Sequence, residues 1–255
     1  MAYNTTRKLT TFHLFSGAGG GILADILLGH NPIGACEIEP YPRNVLLARQ
    51  ADGHLPNFPI WDDVATLDGN PWRGTVDVLC GGFPCTDLSS ARTNNNVNGT
   101  QRGLDGEKSG LWSEMARVAK EMQPSFIFIE NSPNLRGKGL SRVLNDIRSM
   151  GYYARWCVLG SKDVGADHHR KRIWILAYTD KPQLQGGSLS SRVYTKNADL
   201  IGSSRRKDQS SVERIANGVA SGLDKDWGKR LKAIGNGQDP FVAATAFSIM
   251  AEGLI

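Results

Sequence analysis

The chain has 255 residues, of which 40% are hydrophobic, and this suits one large α/β domain or one domain with a small appendage. Its formal net charge of +5 is compatible with a polyanionic partner but does not establish one. It has neither an apolar run long enough to span a bilayer nor the pattern of a signal peptide, so we expect a cytoplasmic protein without disulfides that binds no membrane.

Short apolar runs alternate with helix-like segments as far as Tyr178. Strands are predicted at residues 11–15, 33–39, 76–80, 125–130, 152–160 and 172–178. Helices are predicted at residues 20–29, 40–50, 110–122 and 139–151, and Gly29 is the expected stop of the first. The alternation predicts a doubly wound, mostly parallel α/β sheet, in which ligands bind at the carboxyl ends of the strands.

The composition changes near Asp180. Residues 180–226 are rich in Ser, Gly, Lys and Arg and contain few large apolar residues. A segment of this size and polarity cannot form a good core of its own, so we interpret it as a small insertion or a mobile loop. Two helical segments around the turn Gly235-Asn236-Gly237 follow it.

A glycine-rich turn, residues 15–21, joins the first strand to the first helix. Glycines let the backbone turn sharply and approach a ligand, and a helix N-terminus offers free N–H groups. Glu37 ends the second strand roughly 20 residues later, where an acid can accept hydrogen bonds from both ribose hydroxyls. Asp63 follows a short apolar run and is placed to meet an adenine edge. These features predict a nucleotide-type cofactor, and the absence of a Walker lysine argues against ATP-driven chemistry.

A second set of side chains has the chemistry to act on a cytosine ring. Cys85 follows Pro84 in a turn at the end of a strand, and a thiolate there is a strong nucleophile toward C6. Glu130 ends a buried strand, where desolvation should raise its pKa toward that of a useful acid near N3. Arg170 and Arg172 lie on one side of the last strand and can bind the base O2, Glu130 or a phosphate.

Each of these motifs also has an ordinary structural explanation. The glycine turn can simply connect two elements, Glu130 can cap a neighbouring helix, and an Arg-Lys-Arg run is commonly a solvated basic patch. Cys80 and Cys85 are close in sequence, and His168 and His169 follow later, but their spacing fits no common zinc pattern. We therefore expect no metal ion.

Taken in order, the motifs resemble those of the DNA (cytosine-5)-methyltransferases. The matching segments are Phe15-Ser16-Gly17-Ala18-Gly19-Gly20, Glu37, Asp62-Asp63-Val64, Pro84-Cys85, Glu130-Asn131, Arg170-Lys171-Arg172 and Gly235-Asn236-Gly237. The resemblance implies S-adenosyl-L-methionine as cofactor, bound by Phe15, Ser16, Gly17, Ala18, Gly19, Gly20, Glu37, Ile38, Asp63, Val64, Pro84 and Asn236. The implied catalytic residues are Cys85, Glu130 and Arg172. The implied substrate-binding residues are Ser89, Asn131 and Arg170.

The same resemblance implies a Rossmann-like methyltransferase fold with a very small target-recognition insertion. Residues 1–179 and 227–255 would form the catalytic domain, and residues 180–226 a reduced target-recognition region. The implied partner is double-stranded DNA, bound by a monomer associated with the nucleoid of a bacterium or infected host cell. The implied reaction flips a cytosine out of the duplex and proceeds through a covalent bond between Cys85 and C6.

The chain departs from the family pattern at three positions. Thr86, Ser132 and His168 stand where the family usually has Gln, Val and Gln, which affects fine positioning more than chemistry. Two alternatives stay open. The short recognition region is compatible with an RNA cytosine-5 methyltransferase of the transfer-RNA type. A non-catalytic DNA- or cofactor-binding relative is the other alternative, and the intact Cys85, Glu130 and Arg172 argue against it.

Overall fold

Seven strands form one sheet in the computed structural model, which describes residues 8–84, 110–180 and 227–255. In chain order they are β1 (Thr10–Leu14), β2 (Asn31–Cys36), β3 (Ile60–Trp61), β4 (Val78–Gly81), β5 (Phe126–Asn131), β6 (Tyr153–Gly160) and β7 (Lys171–Tyr178). The α-helices of these residues are α1 (Gly20–Leu28), α2 (Pro40–Ala51), α3 (Gly110–Met122), α4 (Leu135–Lys138), α5 (Leu140–Ser149), α6 (Trp227–Asn236) and α7 (Pro240–Ala251). None of these described helices has the length and apolar character needed to cross a membrane.

The strands lie in the order β3-β2-β1-β4-β5-β7-β6. The pairs β1–β2, β2–β3, β1–β4 and β4–β5 are parallel, whereas β7 runs antiparallel to both β5 and β6. The predicted mostly parallel sheet is therefore confirmed. The reversal at β7 follows from the short connection after Gly160, because a parallel neighbour would need a crossover of about a dozen residues or more.

Apolar side chains cover both faces of the sheet. On one face α3 and α5 bury Trp112 and Ile147. On the other face α1 and α7 pack together, and Phe247 of α7 meets Phe126 and Phe128 edge-on. Burial on both faces explains why the central strands are continuous apolar runs in the sequence rather than alternating ones.

β2 ends earlier than its sequence pattern predicts. The run of residues 33–39 reads as one strand, but the strand stops at Cys36. Glu37 leaves it because its carboxylate accepts the backbone N–H groups of Gly17 and Glu39. Pro40 then opens α2, a position that suits proline because the first helical N–H has no partner within the helix. The result is a tight strand-to-helix turn that holds Glu37 at the edge of the sheet.

A buried polar network lies beneath the first helix. Asp25 of α1 accepts a 2.5 Å hydrogen bond from the Thr11 hydroxyl, and the same carboxylate oxygen lies 2.5 Å from Nε2 of His13. His30 approaches the other oxygen at 3.4 Å. Burial alone would raise the pKa of Asp25, but the attraction and hydrogen bonds of the two histidines outweigh it and hold that pKa well below its ordinary value. The network joins β1 to α1.

Asp25→Asn is expected to lower the free energy of unfolding at pH 7 by about 3–5 kcal/mol. The change removes the buried carboxylate and leaves its polar partners without a charged acceptor. Since the pKa of Asp25 is lower in the folded state, its stabilisation is present above the ordinary value of 3.8 and is lost as the pH falls toward the folded-state pKa. Urea unfolding at pH 7 and at about pH 3 measures both effects.

The control is Asp52→Asn, because Asp52 forms only an exposed 2.9 Å ion pair with Arg49 and an exposed contact with His54. It should leave the free energy of unfolding nearly unchanged, because exposed ion pairs contribute little to stability. Equal losses in the two variants would contradict the structural role of the buried network.

Candidate functional site

The predicted site residues line one edge of the sheet. Its order reverses between β1 and β4, and such a switch point opens a crevice between the loops that follow the two strands. Leu14 and Gly81 are register partners there, so the loops after them are neighbours. One residue from the end of each of six strands lies along this edge. In the order β3, β2, β1, β4, β5 and β7 these residues are Asp63, Glu37, Phe15, Gly82, Glu130 and Arg172.

The turn after β1 has a backbone that few side chains tolerate. Phe15, Gly17 and Gly19 have φ values of 54°, 55° and 92°, in the left-handed region. Ser16 donates its N–H to the carbonyl of Cys36 at 3.1 Å and thereby ties the turn to β2. The turn also carries Ala18 and leads directly into α1 at Gly20, so the free N–H groups of the helix face the same edge. A non-glycine residue such as Phe15 in this conformation marks a position held by its surroundings.

Glu37 is buried, with only 7% of its surface exposed. One carboxylate oxygen accepts the N–H of Gly17 at 2.6 Å and the other accepts the N–H of Glu39 at 2.8 Å. Charge-assisted bonds of this kind are short and strong. Each oxygen retains a further lone pair, so the carboxylate is fixed in place and can still accept ligand hydroxyls.

Three other predicted cofactor residues differ in their exposure. Ile38 is 62% exposed, which is unusual for an isoleucine beside a buried acid. Asp63 caps a short 3-10 turn by accepting the N–H of Ala65 at 2.9 Å and is half-buried. Val64 lies in the core with 5% exposure, and Arg117 donates to its carbonyl. Val64 therefore supports the turn, while Ile38 and Asp63 face outward.

Glu37→Ala is expected to weaken binding of the predicted cofactor, S-adenosylmethionine, by about 1.5–3 kcal/mol, the scale of losing hydrogen bonds to a charged group. The loss has two sources, because the change removes a ligand acceptor and also frees the N–H of Gly17 in the turn. Isothermal titration calorimetry measures the affinity, with Glu252→Ala, at an exposed glutamate beyond α7, as a control. Unchanged affinity would contradict the proposed ribose contact.

The predicted nucleophile Cys85 and the predicted substrate residue Ser89 lie outside the described residues. The structure does describe the turn that leads to Cys85, up to Pro84. Pro84 is exposed and follows Phe83, whose buried ring tilts against Trp112 at 5.4 Å between centroids. This anchors the turn at the end of β4, next to the loop after β1.

Asn131 holds the same turn from β5. Its side-chain N–H donates to the carbonyl of Phe83 at 3.1 Å, and its oxygen accepts the N–H of Ser132 at 2.7 Å. Asn131 is 3% exposed. Both ends of its amide are therefore engaged within the protein, and its contact with Phe83 lies two residues before Cys85.

Glu130 and Arg172 form the ion pair of the site. Nε of Arg172 lies 2.7 Å from Oε1 of Glu130, and the side chains are 26% and 10% exposed. Burial raises the pKa of Glu130, while the charges of Arg172 and Arg170 oppose this shift without cancelling it. The predicted rise of this pKa is therefore confirmed, as is its cause. A carboxyl of this kind can hold a proton closer to neutrality than an exposed one.

Arg170 has a partner of its own, in the turn between α6 and α7. Its guanidinium donates to the carbonyl of Gly237. Ser161, which follows β6, donates to Asp239 at 2.8 Å. These two contacts tie the C-terminal helices to the edge that carries Glu130. Asn236, the last residue of α6, is exposed beside them.

The sequence analysis missed Gln238 and Gly82. A Cβ atom on Gly20 would overlap the carbonyl of Gln238, and one on Gly21 would lie 2.6 Å from its Oε1. A Cβ on Gly82 would lie 2.7 Å from Oε2 of Glu130 and 3.3 Å from Nε2 of Gln238. The available signal was a polar residue directly after the Gly-Asn-Gly turn, but only the tertiary structure shows which glycines it covers.

One group of described residues has the donor types of a metal site. The ligating atoms of His13, Asp25 and Cys80 lie within 4.8 Å of one another, and all three residues are buried. Asp25 already accepts a hydrogen bond from Thr11 and contacts His13. Burial raises the pKa of Cys80 well above its ordinary value, which favours the thiol over the metal-binding thiolate. The group is best explained as a hydrogen-bonded network within the core.

The family model that matches this chain is that of a DNA methylase, and two curated relatives that match it are methyltransferases. The model of the C-5 cytosine-specific DNA methylase family matches residues 9–229. The Type II methyltransferase M.CviJI of Paramecium bursaria Chlorella virus IL3A is 28% identical over 66% of this chain and 42% of its own length. The Type II methyltransferase M1.HphI of Haemophilus parahaemolyticus is 29% identical over 91% of this chain and 62% of its own. The chain thus spans less than two thirds of the length of these curated relatives.

Solved structures agree on the fold. The structure of a triple mutant of DNMT2 from Spodoptera frugiperda has a TM-score of 0.53 and 14% identity, with 70% of this chain and 52% of that chain covered. At this identity the likeness bears on the fold alone, which is that of the Rossmann-like methyltransferases.

Proposed function

The chain belongs to the C-5 cytosine-specific DNA methylase family, and on that premise we propose that it transfers a methyl group from S-adenosylmethionine to C5 of a cytosine in double-stranded DNA. The observation that carries the proposal is the buried ion pair of Glu130 and Arg172, 2.7 Å apart. This pair stands beside the turn that leads to Cys85, at the edge that also carries the glycine turn. An acid, a cation and a nucleophile are the groups that an attack on cytosine requires.

The residues after β1 and β2 suit the cofactor. The carboxylate of Glu37, held by Gly17 and Glu39, can accept two ribose hydroxyls. The exposed Ile38 offers apolar surface to a flat base, and Asp63 an acceptor for its amino group. The remaining residues assigned to this site are Phe15, Ser16, Ala18, Gly19, Gly20, Val64, Pro84 and Asn236. When bound, S-adenosylmethionine supplies an electrophilic methyl group.

The chain's own side chains prepare the target ring. The Cys85 thiolate forms a bond to C6, the C5=C6 double bond opens, and electron density moves to C5. Glu130 donates its proton to N3, and Arg172 donates a hydrogen bond to O2. After C5 is methylated, a water molecule takes the C5 proton and the Cys85 thiolate departs from C6, which restores the double bond, while N3 returns its proton to Glu130. Arg170 holds the Gly237 turn beside this site. Arg170, Asn131 and Ser89 are assigned to the substrate side.

We assign DNA binding in part to residues 180–226, the reduced target-recognition region. This region lies in the sequence between the two parts of the catalytic domain, which are residues 1–179 and 227–255. Residues 181–226 lie outside the described residues, so the assignment rests on composition. Basic residues outnumber acidic ones within residues 181–214. Such an excess favours contacts to phosphates, which position a duplex without reading its sequence.

The test is methyl incorporation by the full chain from labelled S-adenosylmethionine. Label is expected in duplex DNA, as 5-methylcytosine, and bisulfite sequencing then identifies the target sites. Label in transfer RNA but not in DNA would favour the RNA alternative. Cofactor binding without any transfer would favour a non-catalytic relative and overturn the proposal.

A further inference from the structure

Gln238 lies where the two halves of the proposed site meet. It follows α6 by two residues and precedes the N-cap of α7, and it is half-buried. Its neighbours come from three separate segments: the start of α1, the turn after β4, and the end of β5. A residue with such neighbours can respond to both the cofactor turn and the catalytic acid.

The contacts with α1 are close. The backbone of Gln238 lies so near Gly20 that a single methyl group there would overlap its carbonyl. At Gly21, the position of a Cβ would be 2.6 Å from Oε1 of Gln238 and 3.2 Å from Nδ1 of His13. The amide oxygen of Gln238 and the imidazole of His13 therefore line the same space above Gly21, and the other imidazole nitrogen contacts Asp25.

The other end of the amide lines the same space as the proposed catalytic acid. Above Gly82, Nε2 of Gln238 and Oε2 of Glu130 converge on the space that a side chain would fill, at 3.3 Å and 2.7 Å from it. Oε1 of Glu130 is taken by Arg172. Oε2, the oxygen of Glu130 that the Arg172 contact does not use, is therefore the one that shares this space with Nε2 of Gln238.

The backbone around Gln238 is held from outside. Arg170 binds the carbonyl of Gly237, and Asp239 accepts the hydroxyl of Ser161 and caps α7 through the N–H of Phe241 at 3.0 Å. Both neighbours of Gln238 are thus fixed to the β6–β7 side of the molecule. A side chain on so constrained a backbone has few rotamers that avoid α1 and β4.

We infer that Gln238 is a positioning residue that links the cofactor turn at the start of α1 to the Glu130–Arg172 pair. The expected changes in kcat and KM rest on the proposed function, whereas the expected effect on the titration of Glu130 does not. Because Gln238 already lies against Gly20 and Gly21, its amide would keep the Oε2 side of Glu130 in place for N3 of the base. Preorganisation of this kind is effective because small displacements of a reacting group cost rate.

The test uses Gln238→Ala and Gln238→Glu in the full chain, with Gln123→Ala as control. Gln123 is an exposed glutamine at the opposite edge of the sheet. Gln238→Ala should lower kcat about 10-fold or more with the KM for DNA within about twofold, because the acid is misplaced after binding. Its affinity for S-adenosylmethionine should fall about fivefold, the lower end of usual coupling between sites.

The pH profile separates positioning from packing. The charged groups around Glu130 are Arg172 and Arg170, and Asp239 acts on Arg170. In Gln238→Glu, a second negative charge near Oε2 disfavours ionisation of Glu130 and raises its pKa. The alkaline limb of the kcat profile should therefore shift to a pH about one unit higher. A lowered melting temperature with an unmoved profile and unchanged cofactor affinity would overturn the inference.

The two proposals fail in different ways. If the wild type transfers no methyl group, the proposed function is wrong, and the inference is then read from carboxyl NMR titration of Glu130. The titration of Glu130 should still move to higher pH in Gln238→Glu and stay in place in Gln123→Ala. If it stays in place in both, Gln238 does not face Glu130 and the inference is wrong whatever the activity.

Discussion

Cys85→Ser is expected to abolish methyl transfer to DNA while the fold and cofactor binding persist. A serine hydroxyl at neutral pH is a far weaker nucleophile than a thiolate, and nothing near it in the proposed mechanism would activate it. The other cysteines are poor substitutes. Burial raises the pKa of Cys36 to about 12, and it also raises the pKa values of Cys80 and Cys157. Methyl incorporation and calorimetry with S-adenosylmethionine measure the two halves of this prediction.

A covalent trap tests the same residue directly. In a duplex that contains 5-fluorocytosine, the wild type should remain attached to the base, because fluorine cannot leave C5 as a proton does. Peptide mapping should find the adduct at Cys85. Cys157→Ser is the matched control, since Cys157 lies on β6 and is half-buried, and it should trap like the wild type. An adduct on any other cysteine contradicts the assignment of the nucleophile.

Glu130→Gln is expected to lower kcat by about 10²- to 10⁴-fold, the usual contribution of a positioned general acid. The glutamine keeps the shape of the side chain and can donate a hydrogen bond to N3, but it cannot transfer a proton. It also leaves Arg172 without its charged partner. Glu252→Gln, at an exposed glutamate beyond α7, is the control and should retain full activity.

The pH dependence gives an independent check on Glu130. Because burial raises its pKa, the proton it needs is present below that raised pKa and is lost as the pH rises through it. The wild-type kcat should therefore fall on the alkaline side, and this limb should disappear in Glu130→Gln. A limb that persists in the variant would belong to another group and would rule out Glu130 as the acid.

The order of helices and strands was predictable because it depends on local patterns. The amphipathic spacing of residues 110–122 predicted α3, and Gly29 ends α1 with a left-handed φ of 74°. The raised pKa of Glu130 was also predictable, since a carboxyl at the end of a continuous apolar strand must be partly desolvated. By contrast, the insertion of β7 between β5 and β6 and the early end of β2 depend on contacts between distant segments.

The sequence by itself determined the α/β class, the mostly parallel sheet and the set of residues at its carboxyl edge, because periodicity and turn residues are properties of neighbouring positions. Only the tertiary structure decided which side chains meet there. It brought Arg172 to Glu130, Asn131 to the carbonyl of Phe83, and Gln238 to the bare glycines of α1 and β4. These pairs are separated by tens of residues or more along the chain, and their geometry follows from how the strands are ordered and how α7 packs on α1.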